Sequence, residues 1–308
     1  MSRRIRRWIG FFLSSYAVFC LGAGVFVAEM TLHPQRRPLP ETRAALLPIS
    51  QLVGGDLHDV SITASDGIVL RAWSIRPSQP NGDAVILLHG LSDNRLGMIG
   101  YARLLLAQGY SILMPDARAH GASDGTLVTY GMIERGDIHR WFQWVEDNEP
   151  SHCIFGFGES MGAAELLQAL QAEPRFCAVA AESPFANFYE IAYDRVGQYF
   201  QTGPWLGRTV LRPLVEVAFF YARRKYGLDL AQVSPEDVVA ASEVPVFLIH
   251  GKDDHNIPIR HSRSIKAHKP SVKLWEVPGT DHCGSISTHP DEFRNLLLDW
   301  FDSHRSRT

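Results

Sequence analysis

Eight short apolar runs, most of them separated by stretches with helical spacing, constrain this chain more than any other feature. AVILLH (84–89), YSILMP (110–115), HCIFGF (152–157), CAVAAES (177–183), VPVFLIH (244–250) and VKLWEV (272–277) are too short for helices. Their near-continuous apolar character is that of strands buried on both faces. LHDVSI (57–62) and GIVLRAWSI (67–75) read as an opening β-hairpin. Helical spacing occupies Arg95 to Gln108, Tyr130 to Glu149, Met161 to Ala172 and Pro290 to His304, with Gly109 and Pro150 as stops. This alternation predicts a mostly parallel eight-stranded sheet flanked by helices, with residues 55–308 as its domain. From 184 to 243 no strand pattern occurs. Phe185 to Tyr199, Trp205 to Tyr226 and Pro235 to Ala241 read as helices of an insertion after strand 6. Such an insertion can cap a pocket at the strand ends, with Trp205, Phe219 and Phe220 as lining or as plain packing.

The N-terminus obeys a different pattern. MSRRIRR places four arginines in seven residues, and Trp8 to Ala28 follows without a charge. As a helix this run is roughly 30 Å long, one hydrocarbon thickness. A secretory signal has a shorter apolar core and a small-x-small cleavage site, which Phe26-Val27-Ala28 fits poorly. Residues 1–30 therefore read as an uncleaved membrane anchor and 31–54 as a Pro-rich tether. The arginine excess predicts a cytoplasmic N-terminus and a catalytic domain in the periplasm or outside the cytoplasm. Net charge is −3, and no basic stripe or nucleic-acid motif is present, which removes nucleic acid as a partner. Of four cysteines, Cys20 lies in the span. Cys153 and Cys177 each begin a strand-like run; two buried thiols is the favoured reading, and a bridge is conceivable if those strands are neighbours.

The chemistry gathers where the runs end. CIFGFGESMGAAE sets a Gly-x-Ser-x-Gly pentapeptide between a buried run and a small-residue helix. By chance such a pentapeptide arises on the order of 0.1 times in a chain of this size, and the strand–turn–helix context adds what chance lacks. A very tight turn would strain the backbone at Ser160 and expose its hydroxyl, and side chains at positions 158 and 162 would clash. A serine hydroxyl needs a base to attack. VFLIHGKDDHNIP offers two acids, Asp253 and Asp254, in the loop beyond a buried strand, and VPGTDHCGS offers His282 after the last strand. His255 and His261 lie too near the acid loop, His268 belongs to the preceding helix, and His289 opens the last one.

With these motifs in chain order, the sequence resembles the α/β-hydrolase superfamily, over residues 57–304, and in particular membrane-anchored bacterial members. The resemblance implies that Ser160, Asp254 and His282 are a catalytic triad. It implies that the backbone N–H groups of Leu91 and Met161 form the oxyanion hole, after a His89-Gly90 pair whose imidazole is structural. PDARAHGASDG (115–125) resembles a superfamily segment that buttresses the elbow, with His120 structural, but it carries Ala119 where glycine is usual. The implied activity is acyl-enzyme hydrolysis of an ester, thioester or amide, with a small-molecule, acyl or lipid-like substrate and no metal or organic cofactor. A peptidase, a non-catalytic binding protein on the same body, and a cofactor-free peroxidase remain alternatives. Ser160 argues against a dehalogenase, which uses a carboxylate nucleophile.

Overall fold

The computed structural model describes residues 2–39 and 55–305; most of the expected tether lies outside the described residues. All eight expected strands form, in one sheet ordered β1-β2-β4-β3-β5-β6-β7-β8. β1 (Asp56–Thr63) and β2 (Val69–Arg76) are the antiparallel hairpin, and β2 is antiparallel to β4 (Ser111–Pro115). β3 (Asp83–Leu88), β5 (Cys153–Glu159), β6 (Val179–Glu182), β7 (Val246–Gly251) and β8 (Lys273–Val277) continue the sheet in parallel. β3, β4, β6 and β7 are buried at every residue, which is why they show no polar alternation.

Helices cover both faces. On one, α3 (Glu134–Asn148) and α4 (Ser160–Ala169) supply Trp141, Phe142, Leu166 and Leu167 to a core with Ile86, Leu113 and Leu248. On the other, α2 (Ile99–Leu106) and the C-terminal helix (Pro290–Ser303) supply Tyr101, Leu105, Phe293 and Phe301 against Phe155, Phe157 and Phe247. Pro290 sits in the first turn of that last helix, where a missing N–H leaves no intrahelical bond unmade.

β5 and β6 are neighbours, and Cys153 and Cys177 are joined by a disulfide across a Cα–Cα distance of 5.7 Å. This corrects the favoured reading of two thiols. Spacing along the chain could not reveal it; strand adjacency puts the two Cα atoms within bridging range.

A second compact unit comprises α1 and residues 188–232. α1 (Arg3–Leu32) is a single helix whose length and apolar composition suffice to cross a membrane. Trp8, Phe11, Phe12, Phe19 and Phe26 are exposed along it. Its buried residues Cys20, Gly24, Ala28 and Leu32 fall at four-residue intervals, one stripe of the helix. This stripe meets α7 (Arg212–Tyr226): a Cβ at Gly24 would stand 2.7 Å from the Leu214 carbonyl oxygen. Glu29 Oε1 accepts from Lys225 Nζ at 2.7 Å and Tyr226 Oη at 2.9 Å. The same unit holds α5 (Phe188–Tyr199) and the four-residue α6 (Trp205–Arg208). The expected helix 205–226 is broken at Thr209–Leu211, because Pro213 has no N–H to carry the ladder across. Phe219 is buried, stacked on Tyr189 at 4.1 Å, whereas Trp205 and Phe220 are exposed. α8 (Pro235–Ala241) belongs to the sheet-bearing unit with α9 (Arg260–His268) and α10 (Ser285–Thr288).

Candidate active site

Strand β5 runs into α4 with no loop, and the turn falls on Ser160, which takes φ +52°. This left-handed conformation costs on the order of 1–3 kcal/mol at a non-glycine residue and persists only where the surroundings impose it. Here the two glycines impose it. A Cβ at Gly158 would stand 2.6 Å from the Gly162 backbone, and one at Gly162 would stand 2.5 Å from the Leu88 carbonyl oxygen. Strand and helix thus approach more closely than any side chain permits, and the Ser160 side chain is left half-buried at the C-terminal edge of the sheet.

Three residues from separate segments meet there: Ser160 from the elbow, Asp254 from the turn after β7 and His282 from the loop after β8. His282 Nε2 lies 2.8 Å from Ser160 Oγ, and His282 Nδ1 lies 2.8 Å from Asp254 Oδ2. Asp254 is buried in the turn after β7, where its Oδ1 accepts the backbone N–H groups of Asn256 at 2.9 Å and Ile257 at 2.8 Å. Asp253 is exposed beside it. Burial alone would raise the Asp254 pKa; hydrogen bonds from His250 and His282 outweigh it and hold the carboxyl well below the usual carboxylate range. A carboxylate is an acceptor only, so the Nδ1 facing it carries the proton, and Nε2 has its lone pair directed at Ser160 Oγ. Among the other histidines after the acid loop, His261 accepts the Ala186 N–H at 3.1 Å, His268 donates to the Ser264 carbonyl, and His289 lies against Thr288.

The loop after β3 closes the other side. Gly90 packs on Ser160 so closely that a Cβ there would be 3.5 Å from that of the serine. Leu91 follows it, and Met161 is the second residue of α4, whose first-turn amides have no intrahelical acceptor. Two buried imidazoles fix this loop. His89 Nδ1 is 2.8 Å from the Gly90 carbonyl and its Nε2 accepts the Ala117 N–H at 3.1 Å. His120 Nδ1 donates to the Arg118 carbonyl and its Nε2 accepts the Ser92 N–H at 3.1 Å. Each ring needs one protonated and one bare nitrogen, so both are neutral. Burial accordingly lowers the pKa of both, that of His120 to about 4. The PDARAHGASDG segment therefore braces the loop of Leu91. Asp116 adds to the brace by accepting the Arg95 and Ala122 amides and pairing with the Arg95 guanidinium at 2.7 Å. Ala119, where a glycine was expected, has φ +61°.

Sequence reading did not find what lies behind the serine. Glu159 and Glu182 end adjacent strands in register, and Tyr101 Oη stands 3.1 Å from one carboxyl and 3.0 Å from the other. Burial, with the neighbouring Glu182 charge, pushes the Glu159 pKa up to about 7. Glu159 is visible inside the pentapeptide, but nothing in the chain order indicates its partner.

Residues 85–296 match the family described as the alpha/beta hydrolase family. The uncharacterized protein YqkD of Bacillus subtilis is 28% identical over 252 residues, 80% of each chain. The esterase Pf2001 of Pyrococcus furiosus has a similar structure, with a TM-score of 0.69 at 24% identity, covering 89% of this chain and 100% of that one. The acylaminoacyl peptidase of Pyrococcus horikoshii is similar with a TM-score of 0.63 at 16% identity, covering 87% of this chain and 44% of that one. A family match across more than half of the chain, on this sheet order and elbow, establishes that the protein belongs to the alpha/beta hydrolase family.

Proposed function

We propose that this hydrolase cleaves an ester, thioester or amide through an acyl-enzyme, with Ser160 as nucleophile, His282 as base and Asp254 as the acid. The observation that carries the reading is the unbroken line from Asp254 Oδ2 through the two ring nitrogens of His282 to Ser160 Oγ, each step 2.8 Å. His282 Nε2 takes the hydroxyl proton as Oγ attacks the carbonyl carbon, and Asp254 stabilises the imidazolium. The Leu91 and Met161 N–H groups receive the negative oxygen of the tetrahedral intermediate. His282 then passes its proton to the departing alcohol, thiol or amine. Water repeats the sequence on the acyl-enzyme and frees Ser160.

Similar structures include an esterase and a peptidase, and one triad serves both reactions. In this reading α1 holds the enzyme at a membrane, which favours acyl or lipid-like substrates. The N-terminus faces the cytoplasm. The Cys153–Cys177 disulfide supports a catalytic domain outside it, since such bonds persist in oxidising compartments.

A fluorophosphonate probe tests the nucleophile. Wild type is expected to label at Ser160, and Ser160→Ala to label not at all and to lose kcat by roughly 10⁴-fold or more. Equal labelling of the two proteins refutes the assignment. A panel of p-nitrophenyl esters of rising chain length beside aminoacyl anilides separates esterase from peptidase.

A further inference from the structure

Behind the serine, three elements bring their acidic or phenolic groups to one point. Glu159 closes β5, Glu182 closes β6 beside it, and Tyr101 of α2 reaches both with one hydroxyl. That hydroxyl carries one hydrogen and cannot donate to two carboxylates at once. The surroundings offer little compensation. Phe157 and Phe293 flank the Tyr101 ring at 4.5 and 5.7 Å, Glu182 and Tyr101 are buried, and among the described residues neither glutamate forms an ion pair. The other titratable groups facing the pair are the Cys283 thiol and Asp93, with His282 and Asp254 beyond. Of these only His282 can be cationic. Two like charges so placed cannot both persist.

Each glutamate also holds a piece of the site. Glu182 Oε1 accepts the Ser285 N–H at 3.0 Å, three residues after His282, and Ser183 Oγ receives the Cys283 N–H at 3.5 Å. Glu159 Oε1 lies against Gly90, one residue before Leu91: a Cβ at Gly90 would stand 3.6 Å from it.

We infer that Glu159 and Glu182 keep one proton between them through Tyr101, as a carboxyl–carboxylate pair, and that this proton positions the loops of Leu91 and His282. The inference rests on the triad reading above. In the protonated pair Glu159 is neutral, so no negative charge stands next to the place where the oxyanion forms. Glu182 is the charged member and takes the hydrogen bonds of Tyr101 and Ser285. Loss of the shared proton sets two anions against each other and adds a charge that opposes the transition state. Both glutamates are positioning residues.

The test is the pH dependence of kcat with p-nitrophenyl acetate, read with fluorophosphonate labelling of Ser160 in each protein. Wild-type kcat is expected to fall roughly tenfold on the alkaline side, beyond about pH 8. Glu159→Gln keeps the neutral state and the contact with Gly90, so its profile should lose the alkaline fall. Glu159→Ala loses the contacts with Tyr101 and Gly90 and should drop kcat about tenfold at neutral pH, with KM little changed. If either variant fails to fold, infrared difference spectra of wild type answer instead: a protonated-carboxyl band must disappear over the same alkaline range. A wild-type plateau through about pH 9, a Glu159→Gln profile that overlays wild type, or a band that does not titrate overturns the inference. Absence of Ser160 labelling in wild type overturns the triad reading instead.

Discussion

Replacing Asp254 by asparagine isolates one function of the proposed triad with almost no change of shape. The asparagine oxygen can still accept the Asn256 and Ile257 N–H groups that Oδ1 accepts at 2.9 and 2.8 Å. Its NH₂ then faces His282 Nδ1 across the present 2.8 Å. Two donors cannot face each other, so the ring must move its hydrogen to Nε2. That hydrogen points at Ser160 Oγ, and the nitrogen that should remove the serine proton no longer can. The cost is the whole of general-base catalysis with the stabilisation of the imidazolium, about 10⁴-fold in kcat where this change has been made in a comparable triad. At about 1.4 kcal/mol per factor of ten, this is about 5.5 kcal/mol of transition-state energy.

A second effect falls on stability. His250 Nε2 donates to the Ile257 carbonyl at 2.7 Å and lies 3.4 Å from Asp254 Oδ2, so the new NH₂ also meets this N–H. One such mismatch costs about 1–3 kcal/mol. The depressed pKa of Asp254 has the same sign: its stabilisation is present above the unfolded carboxyl pKa and is lost as pH falls toward the lower folded value. The variant should therefore melt several degrees lower at neutral pH, a gap that narrows in acid. The assay is steady-state hydrolysis of p-nitrophenyl esters with a thermal melt of the same sample. A variant within tenfold of wild type refutes the reasoning, and loss of turnover on Asp253→Asn instead identifies the other aspartate as the acid.

Three further outcomes follow from named contacts. Gly162→Ala places a methyl 2.5 Å from the Leu88 carbonyl oxygen, so the elbow must open; destabilisation of at least about 3 kcal/mol and loss of fluorophosphonate labelling are expected, by denaturant titration and gel. Ala119→Gly relieves a left-handed alanine at φ +61° and should raise stability by about 0.5–1 kcal/mol, with the ester kcat unchanged. Cys153 and Cys177 enclose a 24-residue separation, for which loop-closure entropy gives about 3.5 kcal/mol; the double serine variant should lose up to that amount, and non-reducing peptide mass spectrometry should find the pair linked in wild type.

The parts of the fold legible in the chain are those with a local cause. Runs such as AVILLH and VPVFLIH are apolar because both faces of the central strands are covered, and that pattern survives without any partner in view. Gly158 and Gly162 flank Ser160 because the turn has no room, so the elbow is written within five residues. The break at Thr209–Leu211 was equally local, but the continuous helical spacing of 205–226 masked the stop that Pro213 imposes. The choice between Asp253 and Asp254 was not local. It depends on which carboxyl turns inward to the amides of Asn256 and Ile257, and only one of two adjacent side chains can.

Strand order decided the remainder. Cys153 meets Cys177, and Glu159 meets Glu182, because β5 lies beside β6. Both pairings join residues more than twenty positions apart, with no periodicity between them. The same holds for α1, whose sequence announces a long apolar helix but not that Gly24 and Glu29 would receive α7. Chain-local sterics and hydrophobic period are properties of neighbours in sequence, so the sequence by itself determined the strands, the elbow and the order of serine, acid and histidine. Register and side-chain direction are properties of neighbours in space. Only the tertiary structure could decide which carboxylate meets His282, which cysteines join, and which two glutamates contend for the hydroxyl of Tyr101.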